Sequence, residues 1–178
     1  MNSYAVFLRG INVGGINIKM AELTSALKDF PFTKVKTLLA SGNVVLQSEL
    51  SAKDVKAQFE KCLRDRFGYD AWVVVLTAER VGELVDACPY PADDKSTHSY
   101  ITLSSDTAML DELFQAGQEL GGVQQVRLGP EASAWLAPAG GTLDSPFSKL
   151  SAKARYKAST TTRNLRTLIK VRDAAAGL

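Results

Sequence analysis

Val35-Lys36-Thr37-Leu38-Leu39-Ala40-Ser41-Gly42-Asn43-Val44-Val45-Leu46-Gln47 decides the fold. Two strand-like runs, Val35 to Ala40 and Asn43 to Gln47, flank Ser41-Gly42, and that pattern reads as a β-hairpin. On its N-terminal side Met20, Leu23, Leu27 and Phe30 recur at helical spacing, so Lys19 to Asp29 reads as an amphipathic helix that Pro31 ends. A short apolar run, Tyr4 to Arg9, precedes that helix and reads as a strand. On the C-terminal side Ser51 reads as an N-cap with Asp54 three residues on. Val55, Phe59, Cys62, Leu63 and Phe67 then share one helix face as far as about Arg66, and Gly68 stops the helix. Trp72 to Leu76 is a continuous apolar run, a buried strand. The order strand, helix, strand, strand, helix, strand is that of a ferredoxin-like split βαβ motif.

The second half repeats the order more loosely. Thr77 caps a connecting helix carrying Val81, Leu84 and Val85, which Pro89 and Pro91 terminate. His98 to Leu103 alternates as a strand does, and Asp106 caps a helix with Met109, Leu110, Leu113 and Phe114 on its face. Val123 to Leu128 and Ala132 to Ala137 form a second hairpin, broken at Gly129-Pro130, and a short helix is expected around Phe147 to Ala154. Thr160-Thr161-Thr162 reads as the N-cap region of a last helix running from about Arg163 to Ala175. The expected fold is α+β: two ferredoxin-like subdomains with antiparallel sheets. Residues 1–77 form the first. Residues 78–178 hold the connecting helix, the second subdomain and a basic C-terminal helix.

Charge and composition narrow the functional classes. A net charge of +2 is too small to argue for nucleic acid by itself. Cys62 and Cys88 are scattered and read as reduced thiols; Cys62, on the apolar face of its helix, is an inert core thiol, and Cys88 the more accessible one. No charged leader with an apolar core precedes the first strand, and no apolar run approaches the roughly 20 residues of a membrane helix. The expected setting is the cytoplasm, with no membrane partner.

Strand direction locates a working surface. A crossover helix makes the strand ending at Arg9 parallel to the one ending at Ala40. The stretch Arg9-Gly10-Ile11-Asn12-Val13-Gly14-Gly15 and the Ser41-Gly42-Asn43 turn therefore lie at the same end of one sheet. Gly10, Gly14 and Gly15 let backbone amides approach a ligand, Arg9 supplies a fork of donors, and Asn12, Ser41 and Asn43 add polar groups. The plainer alternative is that the glycines only make a long turn and Asn43 only closes the hairpin. A second candidate cluster is Thr162-Arg163-Asn164. Arginines in a first helical turn oppose the helix dipole, and a bound anion would reverse that penalty. The basic tail holding Lys149, Lys153, Arg155, Lys157, Arg163, Arg166, Lys170 and Arg172 leaves a nucleic-acid partner as an alternative to a solvated face.

Conventional catalytic sets are missing. His98 is the only histidine and cannot furnish a metal cluster, so no metal site is expected. Asn12 stands where a dinucleotide fingerprint needs glycine, and no Gly-Lys-Ser/Thr follows the glycines. Ser41 is not in a nucleophile elbow.

Phe7 to Gly15, then Met20-Ala21-Glu22-Leu23, Ser41-Gly42-Asn43-Val44-Val45, Ser148-Lys149-Leu150 and Thr162-Arg163-Asn164 resemble the bacterial domain-of-unknown-function 1697 family, over almost the whole chain. The resemblance implies two ferredoxin-like subdomains and no settled activity, cofactor or catalytic residue. The leading functional expectation is a small anionic, phosphate-bearing ligand held by Arg9, Gly10, Asn12, Gly14, Gly15, Ser41 and Asn43, with Thr162, Arg163 and Asn164 as a further wall if the last helix packs nearby. A nucleic-acid module using the basic tail, or a transferase acting on a phosphorylated substrate, are the alternatives. Oligomeric state is not legible.

Overall fold

The computed structural model describes residues 1–9, 17–38, 42–141 and 144–178. The chain divides into two compact units, Met1–Gly82 with Lys170–Leu178, and Glu83–Ile169.

In the first unit the order is β1 (Asn2–Leu8), α1 (Met20–Leu27), β2 (Thr33–Leu38), β3 (Asn43–Ser48), α2 (Ala52–Phe67) and β4 (Val73–Thr77). The sheet runs β2-β3-β1-β4 with every neighbouring pair antiparallel, the order expected of the split motif. Helix α2 starts where the sequence marks it: Asp54 N donates to Ser51 Oγ at 3.2 Å. Such a cap contributes about 1 kcal/mol. The helix ends at Gly68, whose φ of 60° is the left-handed conformation that a side chain would strain. Helical spacing points Val55, Phe59, Cys62 and Leu63 at the sheet, where they meet Tyr4, Val6, Leu8, Val44, Leu46 and Val73 in one core. The opposite face of the sheet carries Ala5, Phe7, Val45 and Val74, which are also buried.

β4 is an edge strand, and side chains of α2 take up the backbone groups at its start. Val73 N donates to Glu60 Oε1 at 3.1 Å, and Lys56 Nζ donates to Val73 O at 2.6 Å. Lys56 and Glu60 are themselves ion-paired one helical turn apart. Both backbone groups of Val73 are thus taken, which leaves that end of the edge without free groups for strand addition.

Helix α3 (Ala78–Ala87) leads into the second unit. There the order is β5 (Thr97–Ser104), α4 (Thr107–Leu120), β6 (Gln125–Gly129), β7 (Ala132–Pro138), α5 (Pro146–Ser151), α6 (Ala154–Lys157) and β8 (Thr160–Asn164), followed by α7 (Leu165–Ala176). The sheet runs β6-β7-β5-β8, again antiparallel throughout and with the same strand order as the first. One face packs on α4, α5 and α6 through Leu113, Trp135, Ala137, Phe147, Leu150 and Tyr156. The other carries Ile101, Leu103, Ala134, Thr161 and Arg163, all buried.

Two expectations are corrected here. Thr160, Thr161 and Thr162 do not cap a helix: they form β8 against Ser104, Leu103 and Thr102. Threonine is β-branched and fits a pleated surface, a preference that outweighs its capping ability once β5 offers an unpaired edge. Arg163 is accordingly a strand residue and not part of a first helical turn. The single helix expected at Phe147 to Ala154 is instead two, because Lys153 adopts an extended conformation (ψ 141°) between them.

Gly117 lies on α4 with no room beside it. A Cβ there would sit 2.7 Å from Phe147 Cε2 and 2.8 Å from Gln125 Nε2, which donates to Phe114 O. Alanine's better helix propensity, about 1 kcal/mol, works against an overpacking cost of about 1–3 kcal/mol. Gly117→Ala should therefore lower stability by about 1 kcal/mol in urea denaturation; a stabilised variant would show that Phe147 and Gln125 yield freely.

A candidate ligand site at the end of the first strand

The register of the first sheet assembles the site. Phe7 pairs with Asn43 on one side of β1, and Leu8 pairs with Val73 on the other. Leu8 N also donates to Gly42 O at 2.8 Å. The end of β1, the start of β3 and the start of β4 therefore share one end of the sheet, and continuing the register sets Arg9 across from Trp72. The Arg9 guanidinium lies over the Trp72 ring, 5.5 Å from its centroid, and Lys56 Nζ is 5.9 Å from the same centroid. Tyr69 donates its hydroxyl to Arg9 O at 2.6 Å, which ties down the backbone where β1 ends.

Arg9 Nε and Trp72 Nε1 are buried and lack a hydrogen-bond partner among the described residues. Leaving such a group unsatisfied costs roughly 1–3 kcal/mol. Burial pulls the Arg9 guanidinium below its ordinary pKa, an effect the Tyr69 phenol opposes. Burial also raises the Tyr69 hydroxyl above its usual value, with Arg9 pulling the other way. An arginine remains charged throughout the physiological range.

Asn43 is fully buried, and its Nδ2 donates to Leu38 O at 3.2 Å, across the hairpin. Gly10, Asn12, Gly14, Gly15 and Ser41 lie outside the described residues. Thr162, Arg163 and Asn164 belong to the second unit. The Thr162 hydroxyl meets that of Thr102 at 2.9 Å. Arg163 is buried, its Nη1 donating to Thr161 Oγ1 at 2.7 Å and to Thr162 O at 3.0 Å. Desolvation brings its pKa down to about 10. Asn164 Oδ1 accepts from Arg166 N at 2.9 Å, so it is this residue that caps α7.

Sequence reading missed Tyr69, Trp72, Lys56 and Glu60. Trp72 was legible only as the start of a buried strand; the register that sets it beside Arg9 needed the pairing of β4 with β1. Several cations of the basic tail are partly neutralised: Arg155 pairs with Glu112 at 2.6 Å, Arg166 with Asp93 at 3.4 Å and Arg172 with Asp173 at 2.9 Å. Both faces of both sheets carry buried residues, so neither offers the open aromatic platform of an RNA-binding sheet.

Residues 1–132 match the profile of a family described as "Protein of unknown function (DUF1697)". The chain belongs to the DUF1697 family. Among solved structures this DUF1697 chain is similar to the conserved bacterial protein SP0830 from Streptococcus pneumoniae, with a TM-score of 0.79 at 20% identity over 98% of each chain. At that identity the likeness shows the fold. No curated protein matches the chain.

Among the described residues of the DUF1697 chain there is no group of three or more metal-ligating side chains, and no helix is long and apolar enough to cross a membrane. His98 packs against Tyr100, with Nδ1 3.4 Å from its hydroxyl. Both cysteines are free. Burial pushes the Cys62 thiol up to about 11; it also raises the Cys88 thiol, against a backbone contact with Tyr90 that lowers it, but Cys88 is only half-buried whereas Cys62 is fully enclosed. A thiol titration with a disulfide reagent at pH 8 should count one reactive cysteine in the folded protein and two in urea. Two fast-reacting thiols without denaturant would show that α2 opens readily.

Proposed function

We propose that this protein binds a small anionic ligand, phosphate-bearing, at the end of β1. The observation that carries the reading is the pair of buried, unsatisfied donors on stacked side chains, Arg9 Nε and Trp72 Nε1. Proteins rarely bury donors without partners, and a ligand oxygen is the natural acceptor. Arg9 supplies the charge and a planar fork suited to phosphate. On this reading Gly10, Gly14 and Gly15, within six residues of Arg9 in the sequence, contribute backbone amides, with Asn12 and Ser41 as orienting groups. Asn43 Nδ2 ties the start of β3 to the end of β2. Thr162, Arg163 and Asn164 serve β8 and the start of α7, so the binding role falls on the first unit. A reducing, cytoplasmic setting suits the two free thiols.

The test is a thermal-shift screen of the full chain with inorganic phosphate, nucleoside 5′-monophosphates and sugar phosphates, run on wild type and Arg9→Ala. At least one compound should raise the melting temperature of wild type saturably, as mass action requires of a ligand that binds only the folded state. The same compound should leave Arg9→Ala unmoved. A silent screen, or an equal shift in both proteins, removes the proposal.

A further inference from the structure

The second unit holds a cavity of about 360 Å3 that the Arg9 site does not involve. Its walls are apolar, with Val123, Leu136, Pro138 and Phe147 among them, and the exposed Asp144 stands at its mouth with Ser145. It exists because the chain turns without side chains around it. Gly122 has a φ of 69°, and a Cβ at Gly122 or Gly141 would meet nothing within 4 Å. A neighbouring recess of about 170 Å3 shares Gly122, Leu136 and Pro138 and is lined by Thr97. The Thr97 hydroxyl is buried without a hydrogen-bond partner among the described residues. The volume lies in the range of small-molecule pockets, about 300–1,000 Å3, and so does the pattern of apolar walls with a few polar groups.

The polar groups set the ligand's charge. The Asp144 carboxylate has no hydrogen bond or ion pair among the described residues, and no lysine or arginine stands among the described lining residues. Among the described lining residues an anion would meet a carboxylate and no cation, whereas a protonated amine would find a counter-ion. We propose that this cavity binds a small aromatic or aliphatic amine, its apolar body against Val123, Leu136 and Phe147 and its ammonium group on Asp144. The site is separate from Arg9, so each can fail alone.

The probe pair is tryptamine and indole-3-propionate, equal in ring and opposite in charge, titrated into the full chain and followed by NMR. Tryptamine should bind saturably with a Kd on the order of 1 mM, the range expected of so small a ligand. Shifts should fall on Val123, Leu136 and Phe147, with indole-3-propionate weaker by about fivefold to tenfold. Asp144→Asn, an exposed position where folding is unaffected, should weaken tryptamine by about the same factor and bring the two probes together. No saturable tryptamine binding, equal affinity for both probes in wild type, or an unchanged affinity in Asp144→Asn would each overturn the assignment. Arg9→Ala should bind tryptamine as wild type does.

Discussion

Trp135→Ala should lower the stability of the second unit by about 3–5 kcal/mol, the usual cost of truncating a large buried aromatic. Trp135 is buried in the middle of β7. Its ring stacks on Tyr100, with centroids 4.7 Å apart, and meets Phe147 edge-on at 4.8 Å. Its Nε1 donates to Thr102 Oγ1 at 3.0 Å, and that oxygen also meets the Thr162 hydroxyl. One side chain therefore joins β7, β5, β8 and α5. Trp135→Phe keeps a ring in place and removes only the hydrogen bond and part of the area, so it should cost about 1–2 kcal/mol. The measurement is urea unfolding by circular dichroism, with Trp72 as the remaining fluorophore, since the chain has two tryptophans. A loss below about 1.5 kcal/mol for the alanine variant would mean that the pocket left behind collapses or that the ring is not packed as described.

Arg9→Ala should weaken a phosphate-bearing ligand by about 30-fold to 100-fold, the loss expected when a desolvated, charge-assisted pair is broken. Arg9→Lys should recover part of this, since it restores charge without the planar fork. Stability should move little or rise, because the buried Nε is unsatisfied in the free protein and its removal relieves that cost. Trp72→Phe keeps an aromatic surface beneath Arg9 and deletes the second free donor, so a drop in affinity of about fivefold is expected. Equilibrium binding of whichever phosphate compound stabilises wild type, measured beside urea unfolding of each variant, separates the readings. If Arg9→Ala unfolds the first unit by more than about 2 kcal/mol yet keeps the affinity, Arg9 is a structural residue.

Much of the architecture was legible because local signals agree with one another. Ser51 and Gly68 bound α2, Gly42 lies between β2 and β3, and Asp106 caps α4, its Oδ1 accepting from Met109 N at 3.1 Å. β8 failed for the opposite reason. Three threonines suit a cap and a strand alike, and only the free edge of β5 decides between them. Asn164 was placed inside the last helix's first turn and is its cap, a shift of two residues that follows from the same misreading.

The candidate site divides in the same way. Chain order and the handedness of crossovers were enough to bring the end of β1 and the β2–β3 turn to one end of a sheet, since those rules act on connectivity alone. They could not supply Trp72, Tyr69 and Lys56, whose nearness to Arg9 depends on the residue-by-residue register of β4 and the roll of α2. Nor could they reveal the cavity by Asp144, because an empty volume is left over when side chains pack and has no signature in any one of them. Element order, boundaries and the apolar faces are written locally, in hydrophobic period, caps and turns. Which polar groups end up buried together without partners is decided only when distant strands align, and that is where the chemistry of this protein is to be sought.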